Sequence, residues 1–137
     1  MATTATERVF PAEDAALSDI NAFIMDALDE QDCPMKTAMQ ILICVEEIFV
    51  NIAHYAYPAA AGSVRVGVSF HDRTASISFT DTGRAFNPLE SEDPDISLGV
   101  DERKIGGLGI YIVKKSMDAL HYERSDGANL FIMEKQI

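Results

Sequence analysis

The sequence predicts an α+β fold: a two-layer sandwich in which a mixed, largely antiparallel sheet carries about three helices on one face. Three observations lead there. Apolar residues recur at helical spacing after Ala12, again from Met35 to Tyr57, and again from Leu108 to Leu120. From Ser63 to Thr80 apolar and polar residues alternate with the period of two that marks strands packed on one side. The last segment divides at Asp126-Gly127, a pair suited to the tight turn of a hairpin.

Each element follows from its residues. Thr4–Phe10 is rich in β-formers and reads as a first strand, ended by Pro11. Ala16, Leu17, Ile20, Phe23, Ile24, Ala27 and Leu28 then form one apolar stripe, the mark of an amphipathic helix. Asp29–Pro34 is a loop, because the residue before a proline avoids helical geometry. The helix from Met35 to Tyr57 is apolar almost all the way round over Ile41–Pro58, so its place is inside the fold; Pro58 and Gly62 stop it.

In Ser63–His71, Val64, Val66, Val68 and Phe70 share one face, and His71-Asp72-Arg73 turns the chain. The next strand puts Ala75, Ile77 and Phe79 inward and Ser76, Ser78 and Thr80 outward. Asn87–Ile105 shows no periodicity and carries Pro88, Pro94 and a run of acids. A loop this long inside a small domain is functional or disordered. A third helix, with core positions Leu108, Ile112, Val113, Met117 and Leu120, and a hairpin over His121–Ile137 complete the chain.

Composition excludes several classes. At 137 residues and 47% hydrophobic, residues 1–137 suit one domain with one core. The net charge of −11, from 22 acidic and 11 basic residues, argues against nucleic acid or an anionic membrane as partner, since both call for a basic surface. The two cysteines, Cys33 and Cys44, have no metal-ligand or redox spacing, which fits a reduced, cytoplasmic location. The N-terminus lacks a signal-peptide layout, and no apolar run approaches the roughly 20 residues that span a bilayer.

Three groups of residues carry chemistry. On the predicted buried helix, Glu47, Asn51 and His54 share one narrow face, while Glu46 lies about 100° away. A carboxylate and a carboxamide at i, i+4 on an apolar helix suit a hard cation with an activated hydroxyl or water nearby; a plain polar stripe at a helix–sheet edge is the alternative. Asp81 follows Phe79 with inward parity and opens DTGRAFNP, where Gly83 suggests close approach of backbone or ligand; a satisfied cap or turn is the bland reading. The segment Arg103-Lys104-Ile105-Gly106-Gly107-Leu108-Gly109 feeds a helix N-terminus, a ready phosphate site, although glycines also serve tight packing.

In order and spacing these motifs resemble the GHKL (histidine kinase-like) ATP-binding fold shared by gyrase, histidine kinases and mismatch-repair ATPases. VEEIFVNIAHYAYP, ISFTDTGRAFNP, KIGGLGIYIVKKSMDAL and YERSDGANLFI together look most like the stand-alone anti-sigma-factor serine/threonine kinases. The resemblance covers nearly the whole chain. It implies ATP and Mg²⁺ as cofactors, with Asn51 as the Mg²⁺ ligand and Glu47 as the general base. By the same resemblance Asp81 reads the adenine amine, and Gly83 and Phe86 adjoin the base. Gly107, Leu108 and Gly109 would meet the phosphates, and Arg103 or Lys104, at the end of a lid over about 87–105, would neutralise the terminal phosphate. Wheel geometry independently favours Glu47 over Glu46. His54 is read as a satisfied helix-end histidine.

Two features depart from the family pattern. GGLG has few flanking glycines, and Asn87 stands where relatives commonly carry an acid. The function implied is a kinase that phosphorylates a serine or threonine on a small antagonist protein of the STAS type and sequesters a sigma factor. The alternative is an ATP-dependent protein-binding switch with weak or lost catalysis. Intact Glu47 and Asn51 favour the kinase. A sensor histidine kinase is disfavoured because no separate helical segment carries a phosphoacceptor histidine. Topoisomerase- and chaperone-type ATPases are disfavoured because no second domain follows. A homodimer remains open.

Overall fold

The computed structural model describes residues 4–57, 62–90 and 107–137. Strand β1 (Thr4–Pro11) leads through a short 3-10 turn (Asp14–Ala16) into helix α1 (Leu17–Glu30). Helix α2 (Met35–Asn51) follows and continues as a π turn over Ile52–Ala56. Strands β2 (Ser63–His71) and β3 (Thr74–Asp81) come next, then a 3-10 turn at Pro88–Glu90, helix α3 (Gly107–Ser116), and strands β4 (Ala119–Ser125) and β5 (Ala128–Gln136). The sheet order is β1-β2-β3-β5-β4, and all four pairings are antiparallel.

Alternation decides which way each strand faces. Val64, Val66, Val68 and Phe70 are buried, as are their inward counterparts Ala75, Ile77 and Phe79 on β3 and Phe131 and Met133 on β5. They meet Ile20, Ile24 and Leu28 of α1, Ile41, Cys44, Val45, Ile48 and Phe49 of α2, and Ile110 and Val113 of α3 in one apolar cluster. Phe79 is fully enclosed, and truncating such a ring to alanine costs about 3–5 kcal/mol.

The turns obey local chemistry. Asp126 and Gly127 adopt φ 52° and 77°, the double positive φ that a two-residue hairpin demands. The β2–β3 turn uses the same geometry at Asp72 and Arg73, φ 48° and 66°, without a glycine. That strained pair is tied down from both sides: the Arg73 guanidinium donates to the Gln31 carbonyl at 2.6 Å, and the Ile137 N–H donates to the Arg73 carbonyl at 2.9 Å.

The structure differs from the expectation in three places. The third helix ends at Ser116 rather than Leu120, because Ala119 and Leu120 pair with Glu134 and Met133 on β5. Sheet pairing outcompetes the continuing helical pattern there, and Ile112, expected in the core, is 38% exposed. Helix α2 is not buried on all sides: Met35, Met39 and Ile43, one turn apart, face solvent. Met35–Ala56 is also long and apolar enough, by length and composition, to cross a membrane. Its apolarity is accounted for by the core it fills between the sheet and the other helices.

Candidate functional site

The second half of α2 and the loop after β3 form one unit. At the π turn the carbonyl of Ala56 accepts the Arg84 N–H at 2.9 Å, and the Tyr55 carbonyl accepts Arg84 Nε at 2.7 Å. Gly83 lies directly against that turn, and an added Cβ would overlap the Ala56 backbone. Only glycine permits this approach. On the other side Arg124 of β4 donates to the Gly83 carbonyl at 2.7 Å. The Tyr55 and Phe86 rings stack with centroids 5.7 Å apart.

These contacts shape a pocket lined by Ile48, Ile52, Asp81, Phe86, Tyr122 and Asn129, among others. Its walls are apolar. Asp81 and Asn129, 4% and 3% exposed, are the buried polar side chains among the described residues. Asp81 Oδ1 accepts the Gly83 N–H and the Asn129 carboxamide, each at 2.9 Å. Oδ2 has no partner among the described residues and is not sealed off, so it is the oxygen free to accept a hydrogen bond from a ligand in the pocket.

Glu47 and Asn51 stand one helical turn apart on α2. The Asn51 carboxamide nitrogen donates to the Glu47 carbonyl at 2.6 Å, which leaves its oxygen as the free end. A neutral oxygen donor of this kind suits a hard cation. No cluster of three or more His, Cys, Asp or Glu side chains able to hold a metal occurs among the described residues. A cation there would draw the rest of its shell from a ligand and water, the usual habit of Mg²⁺.

The Glu47 carboxylate packs on Gly109 in the first turn of α3, so closely that a Cβ at that position would collide with it. Burial, and then the neighbouring Glu46 charge, push the Glu47 carboxyl above its ordinary value. A raised value makes its carboxylate a better proton acceptor. Glu46 itself is exposed. The His54 ring is hydrogen-bonded to Asp14, Nε2 to Oδ1 at 2.9 Å, which fastens the π turn to the 3-10 turn before α1.

The structure thus brings Asp81, Gly83 and Phe86 to one pocket and Glu47 to Gly109. Gly107 and Leu108 open α3, although the Leu108 side chain lies outside the described part. Arg103, Lys104 and most of the lid lie outside the described residues. Sequence reasoning missed Tyr122, Arg124 and Asn129. A signal existed for Asn129: it shares the inward parity of Phe131 and Met133, and a polar residue at such a position needs a buried partner.

A family model for the histidine kinase-like ATPase domain matches residues 10–135. The chain belongs to this family. Among curated relatives of this family member, the serine/threonine-protein kinase BtrW of Bordetella bronchiseptica is 26% identical over 129 residues, covering 93% of this chain and 82% of that protein. The serine-protein kinase RsbW of Bacillus cereus is 28% identical over 99 residues, 69% of this chain and 61% of its own length. The histidine kinase domain of the Erythrobacter litoralis blue-light activated histidine kinase superposes with a TM-score of 0.57 at 18% identity, over 93% of this chain and 61% of that one. That likeness bears on the fold, which it shares.

The groups the family implies fit the residues present. The apolar lining with one free carboxylate oxygen has the chemistry an adenine ring calls for, and the free Asn51 oxygen suits Mg²⁺.

Proposed function

We propose that this protein is an ATP-dependent serine/threonine kinase acting on a small antagonist protein, and that it also sequesters a sigma factor. The observation that carries the reading is the seating of the Glu47 carboxylate on Gly109, one turn from the free oxygen of Asn51. A general base, a metal donor and a glycine-rich helix N-terminus then converge on the phosphates, while Asp81 reads the base. The curated relatives, themselves named as serine or serine/threonine kinases, support it.

In this reading Glu47 accepts the proton of the substrate hydroxyl as that oxygen bonds to the γ-phosphorus and the bond to the ADP oxygen breaks. Asn51 holds Mg²⁺, which when bound offsets charge on the phosphates. Backbone N–H groups at Gly107 to Gly109 receive phosphate oxygens, and Arg103 or Lys104 supplies the further positive charge. The partners are a sigma factor and a STAS-type antagonist, and the location is the cytoplasm; light scattering would test whether the chain also forms a homodimer.

The decisive experiment incubates the protein with γ-labelled ATP and candidate antagonist proteins. Label on a serine or threonine of the antagonist is the expected result. ATP binding with no transfer to any candidate would instead favour a nucleotide-dependent binding switch.

A further inference from the structure

The carboxamide of Asn129 is saturated. Its nitrogen donates to Asp81 Oδ1 at 2.9 Å and to the Arg84 carbonyl at 2.8 Å. Its oxygen accepts the Tyr122 hydroxyl and, at 3.5 Å, the Phe86 N–H. A carboxamide has two N–H groups and two lone pairs, so nothing is left over for a ligand. The neighbours also settle which end is which. A backbone carbonyl can only accept and a backbone N–H can only donate, so Arg84 and Phe86 fix the nitrogen and the oxygen, and the Tyr122 hydroxyl must be the donor.

Asn129 stands directly across from Asp81 in the β3–β5 pairing. Its N–H and the N–H of Gly83 converge on the same carboxylate oxygen from different directions. One donor would let the carboxylate turn about its last bond. Two donors on Oδ1, one local and one from the opposite strand, fix its plane and leave Oδ2 aimed into the pocket. The same amide holds the loop backbone at Arg84 and Phe86, so the carboxylate and the wall beside it share one clamp.

We infer that Asn129 is the positioning residue for base selection: its carboxamide locks Asp81 so that the site prefers a purine bearing an exocyclic amine over one bearing a carbonyl there. The inference rests on the reading of Asp81 as the base-recognising carboxylate. Asn129 does not touch the base. It acts through Asp81, with Tyr122 holding Asn129 in turn.

The test compares ADP with inosine diphosphate, which has a carbonyl in place of the amine, by calorimetry on the whole chain. Asn129→Leu, close in size but without polar atoms, should lower the preference for ADP by roughly tenfold, the equivalent of about one hydrogen bond, with inosine diphosphate affinity little changed. In an Asp81→Asn background the same substitution should not add its wild-type effect to that of Asp81→Asn, since contacting residues in one network are not additive. A merely structural role would weaken both nucleotides alike and give additive effects in that cycle; either result overturns the inference.

If Asn129→Leu does not fold, Tyr122→Phe carries the test, because it removes only the hydroxyl that holds the amide. It should reduce the preference several-fold, and an unchanged preference would overturn the inference. Loss of preference in Asp81→Asn but not in the Asn129 and Tyr122 variants sinks the Asn129 role alone. A wild-type protein that binds both nucleotides equally sinks the Asp81 reading with it.

Discussion

Replacing Asp81 with asparagine puts base recognition to its sharpest test, because the surroundings dictate how the new side chain must sit. Two donors, the Gly83 N–H and the Asn129 amide, converge on Oδ1. An introduced carboxamide must turn its oxygen to them, since its nitrogen would face two hydrogens. Its NH₂ group therefore lands where Oδ2 was and points at the adenine amine. A charge-assisted hydrogen bond is lost, worth about 1.5–3 kcal/mol, and a donor now opposes a donor. ADP affinity should fall about tenfold to 150-fold by calorimetry. The fold should survive, because the internal hydrogen bonds of the site are kept. Inosine diphosphate, whose carbonyl can accept from the new NH₂ group, should bind no worse than to wild type. A folded variant that binds ADP with unchanged affinity would refute the assignment.

Other predictions concern the chemistry. Glu47→Ala should leave ADP binding near wild type yet lower phosphoryl transfer by roughly 10²–10⁴, whereas the exposed Glu46→Ala should change transfer little; the opposite pattern in a labelled-ATP assay would place the base at Glu46. Gly109→Ala should slow transfer while the melting temperature is kept, because the atoms nearest its Cβ belong to the movable end of the Glu47 side chain; normal transfer would show that the carboxylate need not sit there. The raised Glu47 pKa means that the folded state binds its proton more tightly than the unfolded chain does. The stability this adds is present below the unfolded value and is lost as pH rises through the folded value. Glu47→Gln should therefore melt higher than wild type near neutral pH, and the gap should close on acidification; a pH-independent gap would deny the burial effect. Transfer should likewise decline as pH falls through the raised value, since protonated Glu47 cannot accept the hydroxyl proton.

Much of the fold was legible because burial on one face leaves a periodic trace. The alternation of Val64, Val66 and Val68 against Ala75, Ile77 and Phe79 set the strand faces, and the same parity placed Asp81 inward. The i, i+4 spacing of Glu47 and Asn51 put both on one side of α2. What escaped depended on contacts between distant segments. Residues 117–120 continue a helical pattern, and only β5, supplied later in the chain, pulls Ala119 and Leu120 into a strand. The solvent face of Met35, Met39 and Ile43 is invisible to a pattern that counts apolar residues without knowing which elements arrive to cover them. Asn129 had the right parity, but its meaning depends on partners spread from β3 to β4.

The route of the hydrogen bonds gives α2 a second duty beside filling the core. The helix carries Glu47 and Asn51, and its π turn holds Arg84 through the Ala56 and Tyr55 carbonyls. The loop that shapes the base pocket therefore hangs from the same element that bears the proposed base and metal donor. Opposite it, Asn129 and Arg124 clamp that loop to the final hairpin. Sites built on packed helices and strands hold their geometry more tightly than sites built on free loops. The proposed catalytic groups and the loop beside the pocket are thus tied to one helix, and the loop is tied in turn to the sheet that carries Asp81, Tyr122 and Asn129. The Glu47–Gly109 contact joins this unit to the first turn of α3.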